Sequence, residues 1–253
     1  MPVIKRQYRA IVSSDWSECL SPNGPFDPIS FNYPDLTDDL SQIFRQYTGN
    51  VMSLTEACSR IGRMLPESFT VEQMDAYLAA GFRAYTNVPA LMRWCADRDV
   101  LFMLNTTGFH GYFQRAIAAG LLPEVPVVSA NPMIRYTDKD DSGRYELNVR
   151  EINDKAANTA TVLRETGLSP NRLVIMGDSG GDGPHFRWGA EVGAFLVGNM
   201  TKASLHQFCG DAGISIHKLF GASYRPGETR DLERELQTDF LELTEVIDGV
   251  LRA

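Results

Sequence analysis

Three short apolar runs in this chain of 253 residues each end in polar side chains. The runs lie at residues 10–12, 100–104 and 172–176, and stretches with helical spacing separate them. Continuous apolar runs are typical of strands that are buried on both faces of a parallel sheet. Because strands and helices alternate, we predict an α/β fold with a doubly wound, mostly parallel sheet. The polar residues that follow the runs are Asp15, Thr106, Thr107, Asp178 and Asp182.

Residues 34–86 interrupt this alternation. They have the apolar spacing of three consecutive helices and contain no strand pattern. Such a block indicates a helical module inserted into an α/β core. The predicted domains are residues 1–30 and 88–253 for the α/β core and residues 31–87 for the inserted all-helical domain.

Several further elements can be predicted from the pattern. Residues 18–28 are rich in Pro and Gly, which predicts a loop. A β-hairpin is expected at residues 135–149, with its turn at residues 138–143. A short strand is expected at residues 214–216. Residues 230–251 carry apolar side chains at helical spacing, which predicts one amphipathic helix packed on the sheet.

The overall charge and the cysteine pattern exclude several classes of protein. The formal net charge is −8, whereas proteins that bind nucleic acid through charge have basic surfaces. The four cysteines are far apart and form no CxxC pair, so neither a zinc knuckle nor a disulfide framework is expected. The chain shows no signal-peptide pattern and no long apolar span. We therefore expect a cytoplasmic monomer or homodimer that binds neither nucleic acid nor a membrane.

The polar residues after the three apolar runs suit a metal and a phosphate group. The carboxyl ends of parallel strands lie at one edge of the sheet, so Asp15, Asp178 and Asp182 are expected to converge. Converging carboxylates repel one another unless a cation lies among them, and a ligand set made only of oxygen favours Mg²⁺. The threonines after the second run would offer hydroxyl groups to phosphate oxygens, and Lys155 would offer a positive charge. Together these groups are the components of a phosphoryl-transfer site.

The order and spacing of these groups resemble the four motifs of the haloacid dehalogenase superfamily, here Asp15, Thr106, Lys155 and the segment 177–182. The segments 105–109 and 129–131 are similar to the phosphoserine-phosphatase-like branch of that superfamily. The resemblance implies a Rossmannoid core, with the inserted helical domain as a cap over the active site. It also implies an Mg²⁺-dependent phosphatase that hydrolyses a small phosphorylated metabolite through an aspartyl-phosphate intermediate.

The resemblance further implies a role for each motif residue. Asp15 would be the nucleophile, Thr106 would hydrogen-bond the transferring phosphoryl group with Thr107 as second choice, and Lys155 would neutralise charge. Asp178 would bind the metal directly, and Asp182 would bind it or orient its waters. The implied catalytic residues are Asp15, Ser17, Thr106 and Lys155. The implied substrate-binding residues are Thr106, Thr107, Gly108 and Lys155. The implied metal ligands are Asp15, the backbone carbonyl of Ser17, Asp178 and Asp182.

Ser17 departs from the family pattern, which usually has a second aspartate two residues after the nucleophile. That aspartate protonates the leaving oxygen and then activates water, and such help is typically worth ~10²–10⁴-fold in rate. A serine hydroxyl is a poor substitute, so two alternatives stay open. One is a phosphonatase-like or other atypical hydrolase, although the absence of lysine between Lys5 and Lys139 removes the cap amine that a Schiff base would need. The other is a weakly active protein that binds a phosphorylated ligand in a regulatory role.

A few other side chains lie near the motifs in the sequence or in the inserted domain. Glu18 is expected to point away from the nucleophile. His110 is expected to be a surface residue or a hydrogen-bonded structural one rather than an active-site group. Trp16 would either line the pocket or pack in the core. The arginines of the inserted domain would either select an anionic substrate or face solvent, and they are Arg45, Arg60, Arg63 and Arg83.

Overall fold

A seven-stranded parallel sheet forms the centre of the molecule. The structure is a computed structural model that describes residues 4, 6–49, 51–136 and 144–252. The strands are β1 (Ala10–Ser14), β2 (Val100–Phe109), β3 (Val127–Asn131), β4 (Tyr145–Asn148), β5 (Leu173–Gly177), β6 (Phe195–Thr201) and β7 (Lys218–Ser223). Their order across the sheet is β4-β3-β2-β1-β5-β6-β7, and every neighbouring pair is parallel. The predicted doubly wound α/β fold is thereby confirmed.

Helices cover both faces of the sheet. They are α1 (Asp27–Asn32), α2 (Thr37–Thr48), α3 (Leu54–Met64), α4 (Val71–Gly81), α5 (Val88–Asp97), α6 (His110–Ala118), α7 (Asp154–Thr166), α8 (Gly183–Val192), α9 (Ala203–Asp211), α10 (Leu232–Leu236) and α11 (Leu243–Arg252). Consecutive apolar side chains of the inner strands enter opposite cores, as Ile11 and Val12 of β1 do. The inner strands are therefore buried on both faces, which explains why their sequences are nearly continuous apolar runs.

The connections on the two sides of β1 fix the position of the candidate site. The chain passes from β1 to β2 on one side, and β5 pairs with β1 on the other side. In open α/β sheets, ligands bind at the carboxyl ends of strands where the winding direction changes. Asp15 is the first residue after β1, so it lies at this point.

The helices α1 to α4 form a helical insert between β1 and β2. Two of these helices have side-chain N-caps: Ser53 accepts a hydrogen bond from the Glu56 backbone, and Thr70 forms a capping box with Gln73. Side chains of the insert belong to the same continuous core as one face of the sheet. The division into separate domains at residues 31 and 87 stays a prediction.

Two predictions for irregular segments need correction. The predicted loop at residues 18–28 is confirmed up to Phe26, but its last two residues belong to α1, where Pro28 occupies the first turn and its missing N–H costs nothing. Among the described residues the predicted hairpin does not form, because β4 pairs in parallel with β3, with Val127 opposite Tyr145. The predicted turn at residues 138–143 lies outside the described residues.

The C-terminal part also differs from the prediction. The seventh strand is Lys218–Ser223 rather than residues 214–216, because the chain first turns at Gly213, whose φ is +66°. The single helix predicted at residues 230–251 is broken into α10 and α11. Asp239 starts a new turn between them, since its side chain accepts a hydrogen bond from the Leu241 backbone. Among the described residues, no helix is both long and apolar enough to span a bilayer.

Candidate active site

Three buried aspartates converge at the carboxyl edge of the sheet. Asp15 follows β1, and Asp178 and Asp182 follow β5. One carboxylate oxygen of each residue lies within 4.8 Å of those of the other two. None of the three residues is more than 7% exposed. The convergence that the sequence predicts is therefore present in the structure.

The backbone after β5 is shaped to fold Asp182 back onto the strand. Its Oδ2 atom accepts hydrogen bonds from the backbone N–H groups of Asp178, at 3.0 Å, and Ser179, at 3.2 Å. A Cβ atom on Gly177 would lie 2.6 Å from Cγ of Asp182. A side chain at residue 177 would therefore collide with the carboxylate, so the close approach requires glycine.

Lys155 holds two of the three carboxylates. Its Nζ atom lies 3.0 Å from Oδ2 of Asp15 and 2.7 Å from Oδ1 of Asp182. Burial alone would lower the pKa of Lys155, but the two carboxylates raise it above its ordinary value. Burial likewise acts to raise the pKa of Asp182, yet Lys155 and the backbone N–H donors lower it by more. The result is a charged ammonium group fixed beside the expected nucleophile.

A buried polar network fixes the start of α7, which carries Lys155. The Lys155 carbonyl accepts hydrogen bonds from Nδ2 of Asn105 and from Oγ1 of Thr159, each at 2.9 Å. Asn105 also donates to Ser13 at 3.1 Å, and Thr159 contacts Nε2 of His185 at 3.0 Å. Burial and the nearby Lys155 lower the pKa of His185 to about 3, so this histidine is neutral. The network therefore holds the backbone of Lys155 in place, and it adds no charged group to the site.

Two residues of the site were missed or misplaced by the sequence analysis. Lys202 follows β6, and its Nζ atom lies 2.7 Å from Oδ2 of Asp178 and also pairs with Glu18. Glu18 also pairs with Arg230 at 2.8 Å and lines the site, so the expectation that it points away was wrong. Because β6 extends to Thr201, Lys202 lies at the same sheet edge as the aspartates. The signal in the sequence is its position directly after a strand that ends at Thr201.

The charges of the site leave room for a divalent cation. The linked cluster has three cations, Lys155, Lys202 and Arg230, and two more carboxylates than cations, so it carries two excess negative charges. Its carboxylates are Asp15, Glu18, Asp178, Asp182 and Glu235. Among the described residues, Oδ1 of Asp178 has no hydrogen-bond partner. Burial raises the pKa of Asp178 well above its ordinary value, although Lys202 opposes the shift. A bound cation would remove this penalty, so the donor set fits a metal such as Mg²⁺.

The threonines predicted to bind phosphate lie on β2, next to Asp15. Thr106 is fully buried; its hydroxyl accepts a hydrogen bond from the Gly108 backbone at 3.1 Å and lowers the pKa of Asp15 through a side-chain hydrogen bond. Burial nevertheless dominates, and the net pKa shift of Asp15 is upward. Thr107 lines the cavity over Asp15, as does Ser17. The structure therefore brings Ser17 and both threonines close to Asp15.

The cavity over Asp15 is small. It has a volume of about 20 Å³, which is enough for about one water molecule. The helical insert closes it with Phe44, Tyr47 and Thr48. The Tyr47 hydroxyl lies 3.3 Å from Oγ1 of Thr107. These side chains of the insert therefore border the space that a phosphate group would occupy over Asp15.

The remaining candidates lie elsewhere. Nε2 of His110 hydrogen-bonds the Leu147 carbonyl at 2.9 Å, and burial lowers the pKa of His110 to about 4. It does not line the cavity, as expected. Trp16 packs against the rings of Phe82 and Phe113 in the core. The four arginines of the insert are exposed, and none of them lines the cavity; they are Arg45, Arg60, Arg63 and Arg83.

Comparisons with known proteins identify the class of fold. No protein-family model matches the sequence, and no curated protein matches it. Solved structures do match, and they define a haloacid dehalogenase-like fold of the phosphoserine-phosphatase type. The resemblance that the sequence predicts is therefore confirmed at the level of the fold.

The matching structures cover most of the chain at low identity. A phosphoserine phosphatase with an analogue of its phospho-aspartyl intermediate is 13% identical, with a TM-score of 0.63 over 95% of this chain and 99% of that chain. A substrate-bound phosphoserine phosphatase complex is 14% identical, with a TM-score of 0.63 over 96% and 99%. A HAD family hydrolase from Salmonella enterica subsp. enterica serovar Typhi is 13% identical, with a TM-score of 0.62 over 92% and 72%.

Proposed function

We propose that this protein is an Mg²⁺-dependent phosphatase that hydrolyses a small phosphate monoester through an aspartyl-phosphate on Asp15. The observation that carries the proposal is the buried arrangement of Asp15, Lys155, Asp178 and Asp182 at the carboxyl end of the central strand. A matching phosphoserine phosphatase structure contains an analogue of a phospho-aspartyl intermediate, which supports the same role for Asp15.

The residues of the site have distinct roles in this proposal. Oδ2 of Asp15 attacks phosphorus, and the P–O bond to the leaving group breaks as the new O–P bond forms. Lys155 faces Asp15 and neutralises charge on it and on the phosphoryl oxygens. Thr106 and Thr107 offer hydroxyl groups and backbone N–H groups to the phosphoryl group. Water then attacks the aspartyl-phosphate, which releases phosphate and restores Asp15.

Asp15, Asp178 and the backbone carbonyl of Ser17 would hold the metal. Asp182 would orient the groups around the metal. When it is bound, Mg²⁺ supplies the positive charge that brings the phosphate and the nucleophile together. Asp178 is suited to this position because its Oδ1 atom lacks a hydrogen-bond partner among the described residues. Asp182 already uses both oxygens for Lys155 and backbone N–H groups, so it acts mainly by orientation.

The test is phosphate release from p-nitrophenyl phosphate with and without Mg²⁺. We expect release to require Mg²⁺, to stop in excess chelator and to fall to background in Asp15→Asn. Asp35→Asn, which removes an exposed carboxylate from the insert, is the matched control and keeps wild-type activity. Full activity of Asp15→Asn would overturn the nucleophile, and full activity in chelator would overturn the metal.

A second candidate function rests on Ser17, which lines the cavity where the family usually has its acid and base. With a serine there, the protein would bind a phosphorylated ligand and turn it over slowly, in a regulatory role. A phosphonatase-like reaction through a Schiff base is less favoured, because the lysines that line the cavity, Lys155 and Lys202, are both held in ion pairs. Binding of a phosphate analogue with Mg²⁺ but without turnover of any ester would favour the regulatory role.

A further inference from the structure

Arg230 lies between the candidate active site and the C-terminal part of the chain. Its Nη1 atom lies 2.8 Å from Oε1 of Glu18, which lines the cavity over Asp15. On the other side, its Nε atom donates to both carboxylate oxygens of Glu235 at 2.9 Å, and its Nη2 atom donates to Oε2 of Glu235 at 2.7 Å. One arginine can hold two carboxylates because its planar guanidinium group carries five N–H donors. Arg230 therefore connects the active site to α10.

Glu235 holds Arg230 in place from α10. Its buried carboxylate also accepts hydrogen bonds from the hydroxyl groups of Tyr85 and Tyr224, the latter at 2.9 Å. Burial acts to raise the pKa of Glu235, but Arg230 and the two tyrosines lower it by more, so the carboxylate is charged. The position of Arg230 is therefore set by residues that lie outside the cavity over Asp15.

The loop that follows β1 is the part of the active site that Arg230 contacts. Glu18 in this loop has a φ of +58°, a left-handed conformation that residues other than glycine seldom adopt. Such a conformation persists only where the surrounding structure holds it. Arg230 holds the loop at two points, because it pairs with the Glu18 side chain and its Nη2 atom donates to the Pro22 carbonyl at 3.1 Å. Ser17, whose carbonyl is the proposed metal ligand, lies in the same loop.

The Glu18 carboxylate carries the effect of Arg230 to the metal-binding aspartates. Its Oε1 atom faces Arg230, and its Oε2 atom pairs with Lys202. Nζ of Lys202 in turn lies 2.7 Å from Oδ2 of Asp178. Within the described part of the chain, Oδ1 of Asp178 has no hydrogen-bond partner, and this is the atom that suits a metal. The orientation of Glu18 therefore bears on which oxygen of Asp178 is left for the metal.

We propose that Arg230 is a positioning residue for the metal site, because it holds the loop that carries the Ser17 carbonyl and orients Glu18 toward Lys202. The inference rests on the proposed function, since it requires a metal at the three aspartates. Arg230 acts on the metal through these intermediate groups. Residues in such positions typically change metal affinity by about 10-fold to 100-fold when they are substituted.

The test is Mg²⁺ binding to the full chain in Arg230→Lys, measured by calorimetry. Lysine keeps the positive charge but lacks the planar fork, so it cannot hold Glu18, Glu235 and Pro22 together. We expect the dissociation constant for Mg²⁺ to rise about tenfold. The Mg²⁺ concentration for half-maximal phosphate release should rise by the same factor, whereas kcat at saturating Mg²⁺ should stay that of the wild type.

Arg115→Lys is the matched control. Arg115 holds Asp75 by a similar fork, with distances of 2.7 and 2.8 Å, and its side chain is 27% exposed against 30% for Arg230. Neither Arg115 nor Asp75 lines the cavity over Asp15, so we expect the control to bind Mg²⁺ as the wild type does. A lower melting temperature of Arg230→Lys with unchanged Mg²⁺ affinity would show a structural role only and would overturn the inference. An equal loss of Mg²⁺ affinity in both variants would do the same.

Glu235→Gln tests the same connection from the side of α10. It can still bond to the two tyrosines, but it removes the charge that holds Arg230, so we expect weaker Mg²⁺ binding. Because both substitutions act through one contact, the double variant should lose no more affinity than the more affected single variant. Additive losses, or wild-type affinity in Glu235→Gln, would contradict the proposed connection.

The two readouts separate this inference from the proposed function. Weaker Mg²⁺ binding in Arg230→Lys without phosphate release by any of the proteins would retain the positioning role and overturn the phosphatase. Mg²⁺-dependent release with equal Mg²⁺ affinity in the wild type and Arg230→Lys would do the reverse. A wild-type protein that binds no Mg²⁺ would overturn both.

Discussion

At the scale of single residues, Ser17 limits the proposed chemistry more than any other side chain. It lines the cavity over Asp15, and no carboxylic acid stands in its place. Ser17→Asp restores a group that can protonate the leaving oxygen and activate water, so we expect phosphate release to rise ~10²-fold or more. The measurement is kcat with an alkyl phosphate, whose leaving oxygen needs the proton, compared with an aryl phosphate, which needs it less. An unchanged kcat for both esters would mean that another step limits turnover.

Lys202 has a different role, because it neutralises Asp178 when no metal is bound. Lys202→Met removes the ammonium group that lies 2.7 Å from this buried carboxylate. We expect the metal-free protein to lose about 3 kcal/mol of stability, since breaking a buried ion pair leaves one charge without a partner. Mg²⁺ then stabilises the variant more than it stabilises the wild type.

The shift in melting temperature on adding Mg²⁺ measures this effect. Lys218→Met, which removes an exposed lysine of β7, is the control and should respond to Mg²⁺ as the wild type does. An equal Mg²⁺ response of Lys202→Met and wild type would contradict the role given to Lys202.

At the scale of elements, α3 is joined to the core by Glu151. The carboxylate binds the backbone N–H groups of Leu54 and Thr55 at the positive end of the helix. Glu151→Ala removes both bonds, and we expect it to weaken the attachment of α3 by about 1 kcal/mol. Hydrogen exchange of these two amides should then become faster, while exchange in β5 stays the same. Unchanged protection of both amides would show that packing alone holds the helix.

Elements differ in how well the sequence predicts them. The segment from Gly177 to Asp182 was predictable because its conformation is determined locally. For example, the glycine at residue 177 lets the Asp182 side chain approach the strand. The helix starts at Ser53 and Thr70 were predictable because capping is local. The parallel pairing of β4 was not predictable, because it depends on how the rest of the sheet is arranged and not on the sequence of the segment itself. Lys202 and Tyr47 were missed for the same reason, because only the tertiary fold brings them to Asp15.

At the scale of the whole molecule, buried histidines link stability to pH. The pKa values of His110, about 4, and His185, about 3, lie below the value of about 6.5 for an unfolded chain. At a pH between the folded and the unfolded pKa of a histidine, the unfolded chain binds a proton that the folded chain does not. The free energy of unfolding therefore falls as the pH is lowered through this interval. Each histidine is expected to contribute about 1.4 kcal/mol per pH unit below pH 6.5.

Urea unfolding at about pH 7 and about pH 5 measures this dependence. His110→Gln keeps a donor for the Leu147 carbonyl and removes the titrating group. We expect the variant to lose less stability than the wild type between the two pH values. The same loss in both proteins would show that His110 is not held neutral by burial.

The small cavity over Asp15 also bears on how strongly the protein holds any ligand. A volume of about 20 Å³ leaves little room for a phosphate group, so we expect molecules with a displaced insert to be the ones competent to bind. The apparent dissociation constant then equals the intrinsic one divided by the fraction of competent molecules. Substitutions that loosen the contact between Tyr47 and Thr107 would enlarge this fraction. They would raise the measured affinity without adding a single contact to the ligand.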